Sequence, residues 1–143
     1  MRYFEDFKLG EKEVTRGRTI TEADVTMFAA LSGDWYPLHV DEEVAKNTIF
    51  GGRIAHGFLV LSVASGFVTP YETALIAFYG MDKVRFTGPT RLGDTIHLET
   101  EVAELKDKGD FGVVSSQWHV KNQRNEDVAI CLIKVAVSKK PKG

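Results

Sequence analysis

Between residues 57 and 69 apolar side chains fall on every side of a helical wheel: Phe58, Leu59, Val60, Leu61, Val63, Ala64, Phe67 and Val68. A helix without a polar face has to be buried. This one is too short to cross a bilayer, which takes about 20 apolar residues, so it predicts a core helix. Pro70 marks its end. Beyond it the period of the pattern becomes two: 74–78, 83–87, 95–105, 112–121 and 128–137 alternate as strands do, with turn signals at Gly93-Asp94 and Asn125-Glu126. One buried helix followed by a meander of strands predicts an α+β fold, an antiparallel sheet curled around a long central helix. Such a sheet leaves an edge strand and some apolar surface uncovered, which predicts a homodimer.

Upstream, 14–20 reads as a strand, and Thr21 as a helix cap with Asp24 in the place of a capping-box acid. Val25, Phe28 and Leu31 recur at helical spacing until Gly33 stops the helix. A short helix is expected over 41–46, and a loop containing Gly51-Gly52 over 47–55. There is no repeat and no low-complexity tract. A chain of 143 residues suits one domain, 1–143, burying roughly two thirds of its unfolded surface. A net charge of −2 gives no basic footprint for nucleic acid. The mixed, acidic start predicts no secretory leader and no membrane partner, and the basic tail at 139–143 is expected to fray. The lone Cys131 excludes an intramolecular disulfide, reads as a small buried apolar residue and suits a cytoplasmic location.

The chemistry gathers in Asp34-Trp35-Tyr36-Pro37-Leu38-His39, followed by Ala55-His56-Gly57 at the start of the apolar helix. Gly33 ends the preceding helix, and Pro37 pushes Tyr36 out of the helical region. The segment is therefore expected to be a bent loop that brings Asp34 and His39 to one point. An acid and an imidazole converging there can hold a water and move two protons. Gly57 opens the long helix, where free N–H groups and the positive end of the helix dipole collect. It also lets a ligand approach the backbone closely.

These residues resemble the MaoC-like, (R)-specific enoyl-CoA hydratase family of hotdog folds. The family pattern Asp-x-Asn-Pro-x-His, then His-Gly, stands here as Asp34 to His39 and His56-Gly57. The match continues through Asp41, Ser65-Gly66, Val84-Arg85-Phe86 and Gly93-Asp94, across nearly the whole chain. Tyr36 departs from the pattern, standing where many relatives carry Asn, and is expected to shape the loop. The resemblance implies a hotdog dimer with its acyl-thioester tunnel near the subunit interface. It implies (R)-specific hydration of trans-2-enoyl thioesters, or the reverse dehydration, by Asp34 and His39 as the catalytic pair. Gly57 N–H would be the donor to the thioester oxygen. Ser65, His56 and Tyr36 would line the substrate site, with His56 orienting the loop. The substrate would ride on coenzyme A or acyl carrier protein, with no separate cofactor.

No Cys pair, His-Glu-x-x-His or phosphate-binding glycine motif is present, so no metal is expected. His97 alternates with apolar residues in a predicted strand and, like His119, reads as a surface residue. Lys46, Arg53, Lys83, Arg85 and Arg91 are cations available to a phosphorylated carrier, none of them singled out. Two rivals remain. A hotdog thioesterase commonly carries an acid on the central helix, but residues 57–69 contain no Asp or Glu. A non-catalytic acyl-CoA-binding or regulatory protein would not require both Asp34 and His39.

Overall fold

Thr21 and Asp24 cap each other at the start of α1 (Glu22–Ser32) in the computed structural model, which describes residues 1–68 and 70–143. The Thr21 hydroxyl accepts the Asp24 N–H at 3.3 Å, and the Asp24 carboxylate accepts the Thr21 N–H at 2.9 Å. Gly33 ends α1 in the left-handed region at φ 77°, its N–H bonded to Ala29 O at 2.8 Å. Val25 and Ala29 are buried, with Phe28 packed beside them, whereas Leu31 is exposed. At about 100° per residue, Leu31 lies some 120° round from Val25, outside the arc that faces the core.

The segment after Gly33 is more regular than a bent loop. Pro37–Val40 forms a single helical turn, α2, with Pro37 in the first turn and Tyr36 extended before it. Proline suits that position because its φ is pre-set and its missing N–H would have no helical partner. Asp41 then caps α3 (Glu42–Ala45), its carboxylate accepting the Val44 N–H at 3.1 Å. The long helix α4 runs Gly57–Phe67 and Val68 is extended. Thr69, the predicted helix end, lies outside the described residues.

The expected strand at 14–20 is two short ones, β1 (Lys12–Val14) and β2 (Arg18–Thr19), both antiparallel to β4 (Thr95–Asp107). Between them the Thr15 hydroxyl takes the Leu98 N–H at 3.0 Å, so a side chain stands in for the ladder. Conversely, the expected strands at 74–78 and 83–87 are one strand, β3 (Leu75–Arg85). Register shifts near Leu75, Phe78 and Asp82 and a positive φ at Lys83 absorb the sequence break. β5 (Phe111–Lys121) and β6 (Asp127–Ser138) complete an antiparallel sheet ordered β1-β4-β5-β6-β3, with β2 also on β4.

The sheet curls around α4, whose Leu59, Val60, Val63, Ala64 and Phe67 pack on Ile96, Leu98, Trp118, Val120, Cys131 and Ile133. The helix is not covered all round, as its sequence predicted. Phe58 is 76% exposed, and Ser62, Ser65 and Gly66 continue the same open stripe. One sheet covers one side of one helix. Cys131 is fully buried, and burial pushes its thiol up to about 11, which leaves it inert. Among the described residues no helix is long and apolar enough to cross a membrane.

Candidate active site

Three chain segments meet at the N-terminus of α4. The link from α1 to α2 carries Asp34, α2 carries His39, and the residue before α4 is His56. A carboxylate oxygen of Asp34 and one nitrogen from each imidazole lie within 4.8 Å of one another. Asp34 and His39 thus converge as their spacing predicted. Asp34 sits in a tight turn, its N–H on the Ser32 hydroxyl at 3.1 Å and its carboxylate accepting the Tyr36 N–H at 3.3 Å.

Carbonyl oxygens only accept, so the contacts to them fix both imidazole tautomers. His39 Nδ1–H donates to Ile54 O at 2.7 Å, which leaves Nε2 as the basic nitrogen. His56 Nε2–H donates to Asp34 O at 2.9 Å, which leaves Nδ1 without a proton. The two rings stack with centroids 3.9 Å apart and 27° between planes, and Phe28 packs on His56 at 4.9 Å. Tyr36 meets His39 edge-on at 6.3 Å.

The sequence carries no metal motif, yet the fold gathers three metal-capable side chains, because the ligands come from separate segments.

Gly57 lies beside this cluster. The first main-chain bond of α4 is from Val60 N–H to His56 O at 3.1 Å, and Gly57 N–H has no partner among the described residues. A cavity of about 270 Å³ opens onto it, lined by His39, Gly57, Phe58, Phe86, Thr90 and Val128. Its walls are mainly apolar. Phe86, just past β3, was not foreseen as a site residue, although it stands in the matched Val84-Arg85-Phe86. Its ring atoms lie 2.7–3.0 Å from where a Cβ on residue 57 would stand, so close packing is a second reason for glycine there.

Ser65 lies elsewhere within one chain. It lines a separate cleft of about 860 Å³ with Val68, Ser116, Trp118 and Ile133, and its hydroxyl donates to Ser62 O at 2.6 Å. Arg53, one of the candidate phosphate ligands, is already held by Glu22 at 2.7 Å and Glu42 at 2.9 Å. Lys46 pairs with Glu43. Both remaining histidines sit on the sheet beside carboxylates, His97 by Glu99 and His119 by Asp127.

Comparison with known proteins bears on the family and the fold. Residues 6–123 match the family model described as MaoC like domain. Protein MaoC of Klebsiella aerogenes is 44% identical over 98 residues, 68% of this chain, which spans 29% of that protein's length. An (R)-specific enoyl-CoA hydratase of Rhodospirillum rubrum is 37% identical over 105 residues, 73% of this chain and 72% of the relative. A structure described as a monoamine oxidase regulatory protein from Archaeoglobus fulgidus superposes with a TM-score of 0.91 at 44% identity, covering 97% of this chain and 95% of that one. A Mycobacterium tuberculosis protein described as a double hotdog fold matches in fold, with a TM-score of 0.86 at 22% identity, covering 99% of this chain and 45% of that one. The sheet wrapped on α4 is the hotdog fold, and the chain belongs to the MaoC-like dehydratase domain family.

Proposed function

We propose that the protein adds water to trans-2-enoyl thioesters and, in reverse, dehydrates (R)-3-hydroxyacyl thioesters. The observation that carries this reading is the convergence of the Asp34 carboxylate and the His39 imidazole beside the Gly57 N–H, which has no partner among the described residues. In hydration, a water held by the pair forms a C–O bond at the carbon beta to the carbonyl. As that bond forms the water gives up one proton to the Asp34–His39 pair, and the pair delivers that same proton to the alpha carbon, so both groups end as they began. Negative charge grows on the thioester oxygen, where Gly57 N–H and the positive end of α4 stabilise it. The acyl chain enters along the apolar wall of Phe58, Phe86 and Val128. Addition of water moves protons only, so the reaction draws on no cofactor beyond the carrier of the thioester, coenzyme A or acyl carrier protein.

The (R) configuration rests on likeness to the Rhodospirillum hydratase. The dimer rests on β3, an 11-residue strand at the end of the sheet order with Ile76 and Phe78 exposed on it. The lone, buried Cys131 suits a reducing cytoplasm. Tyr36 is assigned to the rim of the site; Ser65, in a separate cleft within one chain, is given no contact with the acyl chain in the cavity beside Gly57.

The test is loss of enoyl absorbance when the purified protein meets crotonyl-CoA, with the product passed to dehydrogenases specific for each 3-hydroxyacyl enantiomer. Turnover with the (R)-specific partner is expected. Turnover only with the (S)-specific partner, or none from a folded protein, overturns the reading. The Archaeoglobus protein's description as regulatory suggests a second reading, a non-catalytic acyl-thioester binder. Such a binder has no need of the assembled Asp34–His39 pair.

A further inference from the structure

We infer that His56 is a positioning residue that holds Asp34, His39 and Gly57 in one geometry; the inference rests on the hydratase reading for its kinetic consequences. His56 is 2% exposed and touches each member of the site differently. It reaches Asp34 across 22 residues by a 2.9 Å hydrogen bond to the main-chain carbonyl, so it restrains the backbone that carries the carboxylate. It reaches His39 by stacking at 3.9 Å, which limits rotation of the ring whose Nδ1 is fixed by Ile54. It adjoins Gly57 by the peptide bond and is the cap residue of α4. No other described residue makes all three connections.

The tautomer is part of the device. Nε2 must carry the proton to bond a carbonyl, and Nδ1 is buried with no hydrogen-bond partner among the described residues. A proton on Nδ1 would leave a buried N–H without an acceptor, beside another imidazole. The ring therefore serves Asp34 through one nitrogen and His39 through its face. Asp34 is exposed, and its other bonds lie within its own turn, its N–H on the Ser32 hydroxyl and its carboxylate on the Tyr36 N–H, so His56 supplies its tie to a distant segment.

Glutamine places an amide N–H about as far from the backbone as Nε2 does, asparagine only as far as Nδ1, and phenylalanine keeps a ring without a donor. These three variants separate the contacts. With crotonyl-CoA as substrate, His56→Gln is expected to keep kcat within about tenfold of the parent. His56→Asn and His56→Phe are expected to lose about a hundredfold in kcat, the order of effect for a misplaced catalytic group, with KM within about threefold. Melting curves establish that each variant is folded. A folded His56→Asn or His56→Phe with parental kcat overturns the inference, as does a Gln variant no better than Asn. Nitrogen-15 NMR of the unmodified protein provides a readout without turnover. It should show His56 as the Nε2–H tautomer and His39 as the Nδ1–H tautomer, and an Nδ1–H His56 overturns the anchoring even if the variants fail to fold. A parent with the stated tautomers and no hydration of any thioester leaves the anchor in place and removes the hydratase reading.

Discussion

The ring of Phe86 lies across Gly57, with Cζ 2.7 Å from where a Cβ on residue 57 would stand. A methyl group there displaces the ring, which lines a cavity with His39. Gly57→Ala keeps the N–H that the thioester oxygen needs, so any loss of rate comes from the displaced ring. We expect Gly57→Ala to lower stability by about 1–3 kcal/mol, the usual penalty of overpacking, and to lower kcat as well. Adding Phe86→Ala should restore much of the rate. A single variant that melts and turns over like the parent would show that Phe86 gives way without consequence.

Asp34 and His39 carry the proton transfers in the proposed reaction, and positioned proton transfer is worth roughly 100- to 10,000-fold. Asp34→Asn and His39→Ala are each expected to lose activity in that range. Circular dichroism should be unchanged for Asp34→Asn, because Asn can still accept the Tyr36 N–H that Asp34 takes at 3.3 Å. Near-parental turnover by either variant would remove that residue from the mechanism.

What was legible in the sequence was local. Thr21, Asp24 and Gly33 act within one helix, so their pattern could be read directly, and the five-residue spacing of Asp34 and His39 pointed to their convergence. His56 acts on Asp34 through a main-chain carbonyl, which any residue at position 34 would offer, so a loop-orienting role for His56 could be expected from the resemblance but its contact could not be read from the residues. Arg53 looked like a free cation because its partners, Glu22 and Glu42, are 31 and 11 residues away. Phe58 made α4 look apolar all round, but its arc of the helix also carries Ser62, Ser65 and Gly66, and within one chain that stripe stays open.

Arg53 ties α1 to α3 on either side of the Asp34 segment, and this clamp should be sensitive to acid. Its hydrogen bonds, and then its charge, hold the Glu22 carboxyl below the ordinary glutamate value of 4.5. A carboxyl with a depressed folded pKa contributes stability that is present above the unfolded value and is lost as pH falls through the folded one. The effect is modest because Glu22 is largely exposed and salt screens it. Arg53→Met is expected to melt below the parent at pH 7, with the gap narrowing as pH drops below 4.5. A gap of equal size at pH 7 and pH 3 would show that Arg53 acts by packing alone.

The edge strand β3 sets the last expectation. Its outer edge has no strand partner among the described residues, and Ile76, Phe78 and Tyr79 are each more than half exposed. An 11-residue edge of this composition is open to pairing with another strand. The open stripe of α4 at Phe58 adds apolar surface of its own. Sedimentation at micromolar concentration should therefore give twice the 15.9 kDa chain mass, or an even multiple of it. Ile76→Glu together with Phe78→Glu places charge on the contact and should shift the population toward the monomer. A parent that sediments as a fully active monomer would show that β3 is an unpaired edge and that the site is complete in one chain.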